Sequence, residues 1–169
     1  KLANDAIKSG KVKYFPERYS EQGAAWLEDD IRDWCISRQL WWGHQLPVWY
    51  DGQGEIAYVG ETDPTDEEIQ SKGLTRDPDV LDTWFSSSLW TFATLGWPDK
   101  TAELEHFHTT TVLSTGRDII NLWVARMIFC SLYFLDEIPF ENVLIHATIQ
   151  TKDGKRMSKS KGTGIDPLD

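Results

Sequence analysis

Two β-prone runs on either side of a helical one dictate most of what this chain can fold into. Residues 109–113 (Thr-Thr-Thr-Val-Leu) are almost all β-branched and lead into Ser114-Thr115-Gly116. Residues 117–134 read as one long helix, with Ile119, Trp123, Met127, Cys130 and Phe134 on a single face. Glu137-Ile138-Pro139-Phe140 closes that element, and residues 143–149 form a second strand of the buried, parallel kind. Strand, helix, strand at this spacing is a βαβ unit, which crosses over right-handed. In open α/β sheets, ligands bind beyond the carboxyl ends of the strands. Those ends fall at residues 114–118 and from His146 onward, so both are candidate binding positions.

The remainder is less regular. Residues 1–9 read as a short helix stopping at Gly10, and residues 18–33 as an amphipathic helix carrying Trp26, Leu27 and Ile31, with Trp34 just beyond. Gly43 and Pro47 break any long helix in the tryptophan-rich block 34–50. Residues 45–50 and 55–59 suit a hairpin across Asp51-Gly52-Gln53-Gly54. Asp63-Pro64-Thr65-Asp66-Glu67-Glu68 suits a capped helix start, with acids where the dipole favours them. The expected organisation is a helical lead-in over 1–44, a small acidic insertion over 45–79, and an α/β part over 80–169. Residues 83–98 carry no charge and hold Trp84, Phe85, Trp90, Phe92 and Trp97, so they must be buried or line a pocket.

The net charge of -10 argues at first against a nucleic-acid binder. Its distribution changes that reading: residues 51–82 carry ten acidic and two basic side chains, while Lys152, Lys155, Arg156, Lys159 and Lys161 form a basic cluster elsewhere. Cys35 and Cys130 have no CxxC partner, so zinc and disulfides are not expected; both suit small buried hydrophobes in a reducing, cytoplasmic setting. No run approaches the roughly 18 apolar residues of a membrane span, and nothing at the start resembles a secretion signal. A first residue other than Met and an abrupt finish at Asp169 suggest a piece of something longer, with an apolar sheet edge open to self-association.

Arg156-Met157-Ser158-Lys159-Ser160-Lys161-Gly162 follows the second strand after Asp153-Gly154. Small residues and compact cations suit phosphate oxygens, although basic, serine-rich loops are also common solvated connectors. Neither GxxxxGK[ST] nor GxGxxG occurs. The segment 156–160 resembles the KMSKS signature of class I aminoacyl-tRNA synthetases, with Arg in the first position. The block 33–44 (Asp-Trp-Cys-Ile-Ser-Arg-Gln-Leu-Trp-Trp-Gly-His) resembles the family's return from its editing insertion. Residues 77–87 and Gly116-Arg117-Asp118-Ile119-Ile120 complete four motifs in the family's order. Leu40-Trp41-Trp42-Gly43-His44 followed by Pro47, and Trp84 followed by three serines, resemble the valyl branch more than the isoleucyl or leucyl ones.

The resemblance implies an α/β fold: the second half of a Rossmann-like nucleotide-binding fold with a small acidic insertion. It also implies ATP-dependent formation of valyl-adenylate and transfer to tRNA(Val), with Mg²⁺ accompanying ATP. Lys159, helped by Arg156, would stabilise the departing pyrophosphate; Met157, Ser158 and Ser160 would share the nucleotide loop. Gly116 and Asp118 match the family's Gly-x-Asp on the ribose, and His146 a position close to ATP. Trp84, Ile119 and Trp123 match the walls of the valine pocket. Plainer readings stand beside these: Asp118 as a first-turn acid, His146 as a core histidine, Trp123 as packing. A synthetase-derived interaction module and isoleucyl specificity are the competing functions. The sequence holds no HIGH motif, and Gly43-His44 does not substitute. The chain alone should therefore be inactive, its missing partners being the N-terminal half of the catalytic core and the editing domain.

Overall fold

A computed structural model describes residues 1–165 and 168, apart from the Lys159 side chain. In chain order the elements are α1 (Leu2–Lys8), β1 (Lys13–Phe15), α2 (Arg18–Ala25), β2 (Ser37–Arg38), β3 (Val48–Tyr50), β4 (Ile56–Val59) and α3 (Asp66–Lys72). Then come β5 (Thr75–Arg76), β6 (Val80–Leu81), α4 (Thr83–Ser88), α5 (Trp90–Ala93), α6 (Ala102–Phe107), β7 (Thr110–Gly116), α7 (Ala125–Phe134) and β8 (Phe140–His146). The chain divides into two compact units, one of residues 1–31 and 91–169, the other of residues 32–90.

In the first unit a three-stranded sheet has the order β1-β8-β7, and both pairings are parallel. Register runs from Thr110↔Phe140 to Gly116↔His146, with β1 on the other side at Lys13↔Asn142. One face carries the core: Tyr14, Leu113, Phe140, Val143 and Ile145 pack with Ala3, Ala6 and Ile7 of α1, Ala24 of α2, and Ile120, Val124, Met127 and Ile128. The strand β8 is parallel as expected but covered on one face only: Phe140 and Val143 are fully buried, whereas Leu144 is 47% exposed. It begins and ends three residues earlier than its apolar run suggests. The pairing decides this: β7 gives way to a 3₁₀ turn at Arg117–Ile119, so its register with β8 ends at Gly116↔His146.

The helix expected over 117–134 is also subdivided. A π-turn at Ile120–Val124 lies between the 3₁₀ turn and α7. The helix expected over 18–33 ends at Asp30 after its own π-turn, and Ile31 is extended. Glu28, Asp29 and Asp30 sit at that C-terminus, where carboxylates oppose the helix dipole. The uncharged stretch buries its rings only in part: Phe92 is inaccessible and meets Trp97 edge-on at 5.3 Å, and Trp97 lies 5.0 Å from Phe134, whereas Trp90 is 50% exposed.

In the second unit β3 pairs antiparallel with β4 and β5. Asp51 shapes the hairpin turn, its carboxylate accepting from the Gln53 and Glu55 amides. A capping box between Thr65 and Glu68 starts α3, and Gly73 ends it at φ 60°, a left-handed conformation that glycine adopts without steric cost. The unit is wider than the 45–79 insertion read from sequence. Its flanks pair with each other: β2 with β6, the Leu81 amide with His44 O, and the Asp82 amide with Ile36 O. Asp82 also caps α4 through the Trp84 amide and forms an ion pair with Arg38. Cys130 is buried as expected, but Cys35 is exposed, because it stands in the open connection ahead of β2 with its thiol 3.3 Å from Ser37 Oγ.

Candidate nucleotide site at the strand tips

The parallel register of β7 and β8 places Gly116 directly beside His146, so the segments leaving both strands start from one edge of the sheet. The chain turns at once into the 3₁₀ segment Arg117–Ile119, which carries Asp118. A side chain at Gly116 would meet Asp118 Oδ1 at 2.7 Å and His146 Cε1 at 3.6 Å. The bare glycine therefore lets the carboxylate fold back over the strand end. His146 is exposed, and its Nδ1–H donates to Ala147 O at 3.0 Å. The neighbouring Arg18 guanidinium, with Arg117 contributing, holds the Tyr19 phenol below its ordinary pKa.

Beyond β8 the chain makes two closed turns. Gln150 bridges Arg156, and the Thr151 amide and hydroxyl tie back to Lys155. In the second turn the Ser158 amide donates to Thr163 Oγ1 at 2.9 Å, and the Thr163 and Lys161 amides both donate to Ser158 O. Ser158 Oγ and Ser160 Oγ are 2.7 Å apart. Met157 and Ser158 are half-buried, and Ser160 is exposed. Lys159 opens a single 3₁₀ turn, Lys159–Lys161; its side chain lies outside the described residues. Arg156, at the junction of the two turns, reaches back to the strand tips, with Nη1 2.9 Å from Asp118 Oδ2. That pair is 73% and 48% exposed, a setting in which ion pairs contribute only ~0–1 kcal/mol.

Gly116, Asp118, His146 and Arg156 are thus gathered at the tips of two adjacent parallel strands. Ile119 and Trp123 stand close behind, Ile119 at the end of the 3₁₀ segment and Trp123 in the π-turn, both half-buried. Trp123 also packs against the core, which keeps its packing role in view. Trp84 is half-buried on α4, in the other unit. Sequence reasoning overlooked Thr163, the clasp of the second turn; a hydroxyl residue five positions after Ser158 was the only signal. Replacing Gly116 with alanine tests the strand-end geometry. Its φ of -83° suits any residue, so the fold should tolerate the change to within ~0.5 kcal/mol. The new methyl must displace the Asp118 carboxylate from the strand end, so the Asp118–Arg156 contact should be lost while the fold stays intact. A structure of the variant in which the Asp118 carboxylate has not moved would refute this placement.

The family model described as "tRNA synthetases class I (I, L, M and V)" matches residues 1–169. The chain belongs to the class I tRNA synthetases. Among curated relatives of this synthetase segment, the valine–tRNA ligase of Clostridium tetani is 54% identical over 100% of the chain, and that of Gluconobacter oxydans 52% identical over 99%. Each match covers 19% of the relative, so the chain spans about a fifth of their length. Solved class I structures share the fold. A ternary complex of Agrobacterium radiobacter K84 agnB2 LeuRS with tRNA and LeuAMS superposes with a TM-score of 0.67 at 21% identity, over 82% of this chain and 22% of that one. Mycobacterium tuberculosis methionyl-tRNA synthetase bound by methionyl-adenylate gives 0.65 at 18% identity, over 98% and 27%. The α/β unit is accordingly the second half of a Rossmann-like nucleotide-binding fold.

Proposed function

We propose that the chain is the part of a valine–tRNA ligase that holds the ATP ribose and carries the KMSKS-type loop, Arg156 to Ser160. The observation supporting this most directly is the meeting of Asp118 and Arg156 beside Gly116 and His146 at the strand tips. A carboxylate accepts two hydroxyl donors, which suits Asp118 to the ribose diol, while Gly116 lets the backbone come close. The valine carboxylate attacks the α-phosphorus of ATP, the bond to the bridging oxygen breaks, and pyrophosphate leaves with the electron pair. Lys159 and Arg156 neutralise charge building on that leaving group, and Met157, Ser158 and Ser160 shape the loop that carries them. The adenylate then passes valine to the terminal adenosine of tRNA(Val).

Mg²⁺ supplies further charge neutralisation on the phosphates when it enters with ATP. Among the described residues no group of three His, Cys, Asp or Glu side chains could hold a metal by itself, so the ion would be bound chiefly by the nucleotide. Ile119 and Trp123 are proposed walls of the amino-acid pocket: an indole and a branched aliphatic exclude larger side chains by shape. The HIGH half of the core and the editing domain are assigned to the rest of the ligase, and the whole acts in the cytoplasm.

Amino-acid-dependent exchange of pyrophosphate into ATP tests the reading in the full-length enzyme. Valine should exceed isoleucine in kcat/KM by at least ~10-fold, the low end of what one methylene is worth in an apolar pocket. Isoleucine as the better substrate would overturn the valyl assignment in favour of the isoleucyl branch. No exchange with any amino acid would favour an interaction module. The chain expressed alone, without a HIGH motif, should show no exchange at all.

A further inference from the structure

We propose that Asp118 is a shared carboxylate, for which Arg156 and the nucleotide ribose compete, so that the loop is latched onto the empty ribose subsite and released by nucleotide binding. The inference rests on the ribose assignment above but concerns a separate property, the coupling of that subsite to the loop.

The geometry of one carboxylate carries it. Asp118 has two oxygens to offer a diol. Oδ2 is taken by Arg156 Nη1 at 2.9 Å, and Oδ1 is turned towards the strand end, 2.7 Å from where a Gly116 side chain would begin. Each carboxylate oxygen can accept two hydrogen bonds, so a ribose diol donating to both oxygens does not exclude Arg156 outright but competes with it for Oδ2. The loop is built to let Arg156 withdraw. Arg156 is the joint between two self-closed turns, the 150–156 hairpin and the 158–163 turn clasped by Thr163. Freeing its side chain lets the second turn move as a unit without breaking hydrogen bonds inside either turn. The energetics fit the same role. Both partners are substantially exposed, so the latch is weak enough for a small ligand to open. Once displaced, the Arg156 guanidinium is free to turn to the phosphates, for which its forked donors are well suited. Nucleotide binding and loop movement are then linked through one side chain, and the linkage is reciprocal.

Adenosine is the appropriate probe, since it carries the ribose diol but no phosphates for Arg156 to bind. Its dissociation constant would be measured by calorimetry on the full-length enzyme. The variant Arg156→Met should bind adenosine about two- to fivefold more tightly, the range a surface ion pair can withhold. The same variant should leave 2′,3′-dideoxyadenosine unaffected, because that ligand makes no demand on the carboxylate. Raising salt should tighten adenosine binding to the unaltered enzyme and do nothing in Arg156→Met, a second readout that depends on no substitution. Equal or weaker adenosine binding by Arg156→Met, or a flat salt response in the unaltered enzyme, would overturn the latch. Asp118→Asn separates the two levels. Unchanged adenosine affinity in that variant would overturn the ribose assignment and the latch with it. Lost affinity there, combined with no gain in Arg156→Met, would overturn the latch alone.

Discussion

Replacing Phe140 with alanine is expected to destabilise the protein by ~3–5 kcal/mol, the usual range for removing a buried ring from a core. Phe140 is completely inaccessible and opens the central strand β8, where it packs with α1 and the 120–128 helical segment. The loss has two parts, the apolar surface no longer withdrawn from water and the cavity that strand pairing on both sides keeps from collapsing. Urea unfolding should show a lower midpoint with little change in slope, since the surface exposed on unfolding hardly alters. The contrasting change is Leu144→Ala on the same strand: 47% exposed, it should cost ~1 kcal/mol or less. Equal losses at the two positions would mean that the sheet does not bury the face described.

Lys159→Ala should lower kcat for valine-dependent pyrophosphate exchange by ~10²–10³-fold, the effect of deleting one donor to charge that develops only in the transition state. Valine binding should change little, because the ammonium is assigned to the leaving pyrophosphate. The separation of the two parameters is the informative result. A parallel loss in kcat and in valine affinity would indicate a disturbed loop, and unchanged exchange would remove Lys159 from the mechanism. Arg156→Ala is expected to have a smaller effect, since its guanidinium also pairs with Asp118.

Much of this arrangement was legible because the second α/β segment follows simple periods. The strands β7 and β8 announce themselves by branched and apolar runs, and the rule that ligands sit past strand ends pointed to Gly116, Asp118 and His146 before any pairing was known. Their ligand roles belong to the proposal, but their convergence is a matter of register. What the sequence concealed depends on partners distant in the chain. The strand β1 has three residues and no alternation of its own to betray it; it exists because β8 lies beside it. The widening of the acidic insertion to residues 32–90 follows from β2–β6 pairing and the Asp82–Arg38 contact, neither of which leaves a local signal. The long helix at 117–134 keeps its apolar positions but begins in 3₁₀ and π turns, which the apolar spacing alone did not reveal. The Arg156–Asp118 contact joins two motifs that were read separately.

The placement of β1 has a consequence for how the molecule is made. Its neighbour β8 is encoded near the opposite end of this segment, so during vectorial synthesis β1 emerges long before β8 can pair with it. Residues 32–90, whose pairings are all internal, can fold in the interval, while α1 and β1 wait. Only when residue 146 has left the ribosome can the sheet close, and the Arg156 turn follows ten residues later. The cluster of Gly116, Asp118, His146 and Arg156 is therefore the last feature this segment assembles, and a translational pause just before β8 would leave the core face of the other elements uncovered.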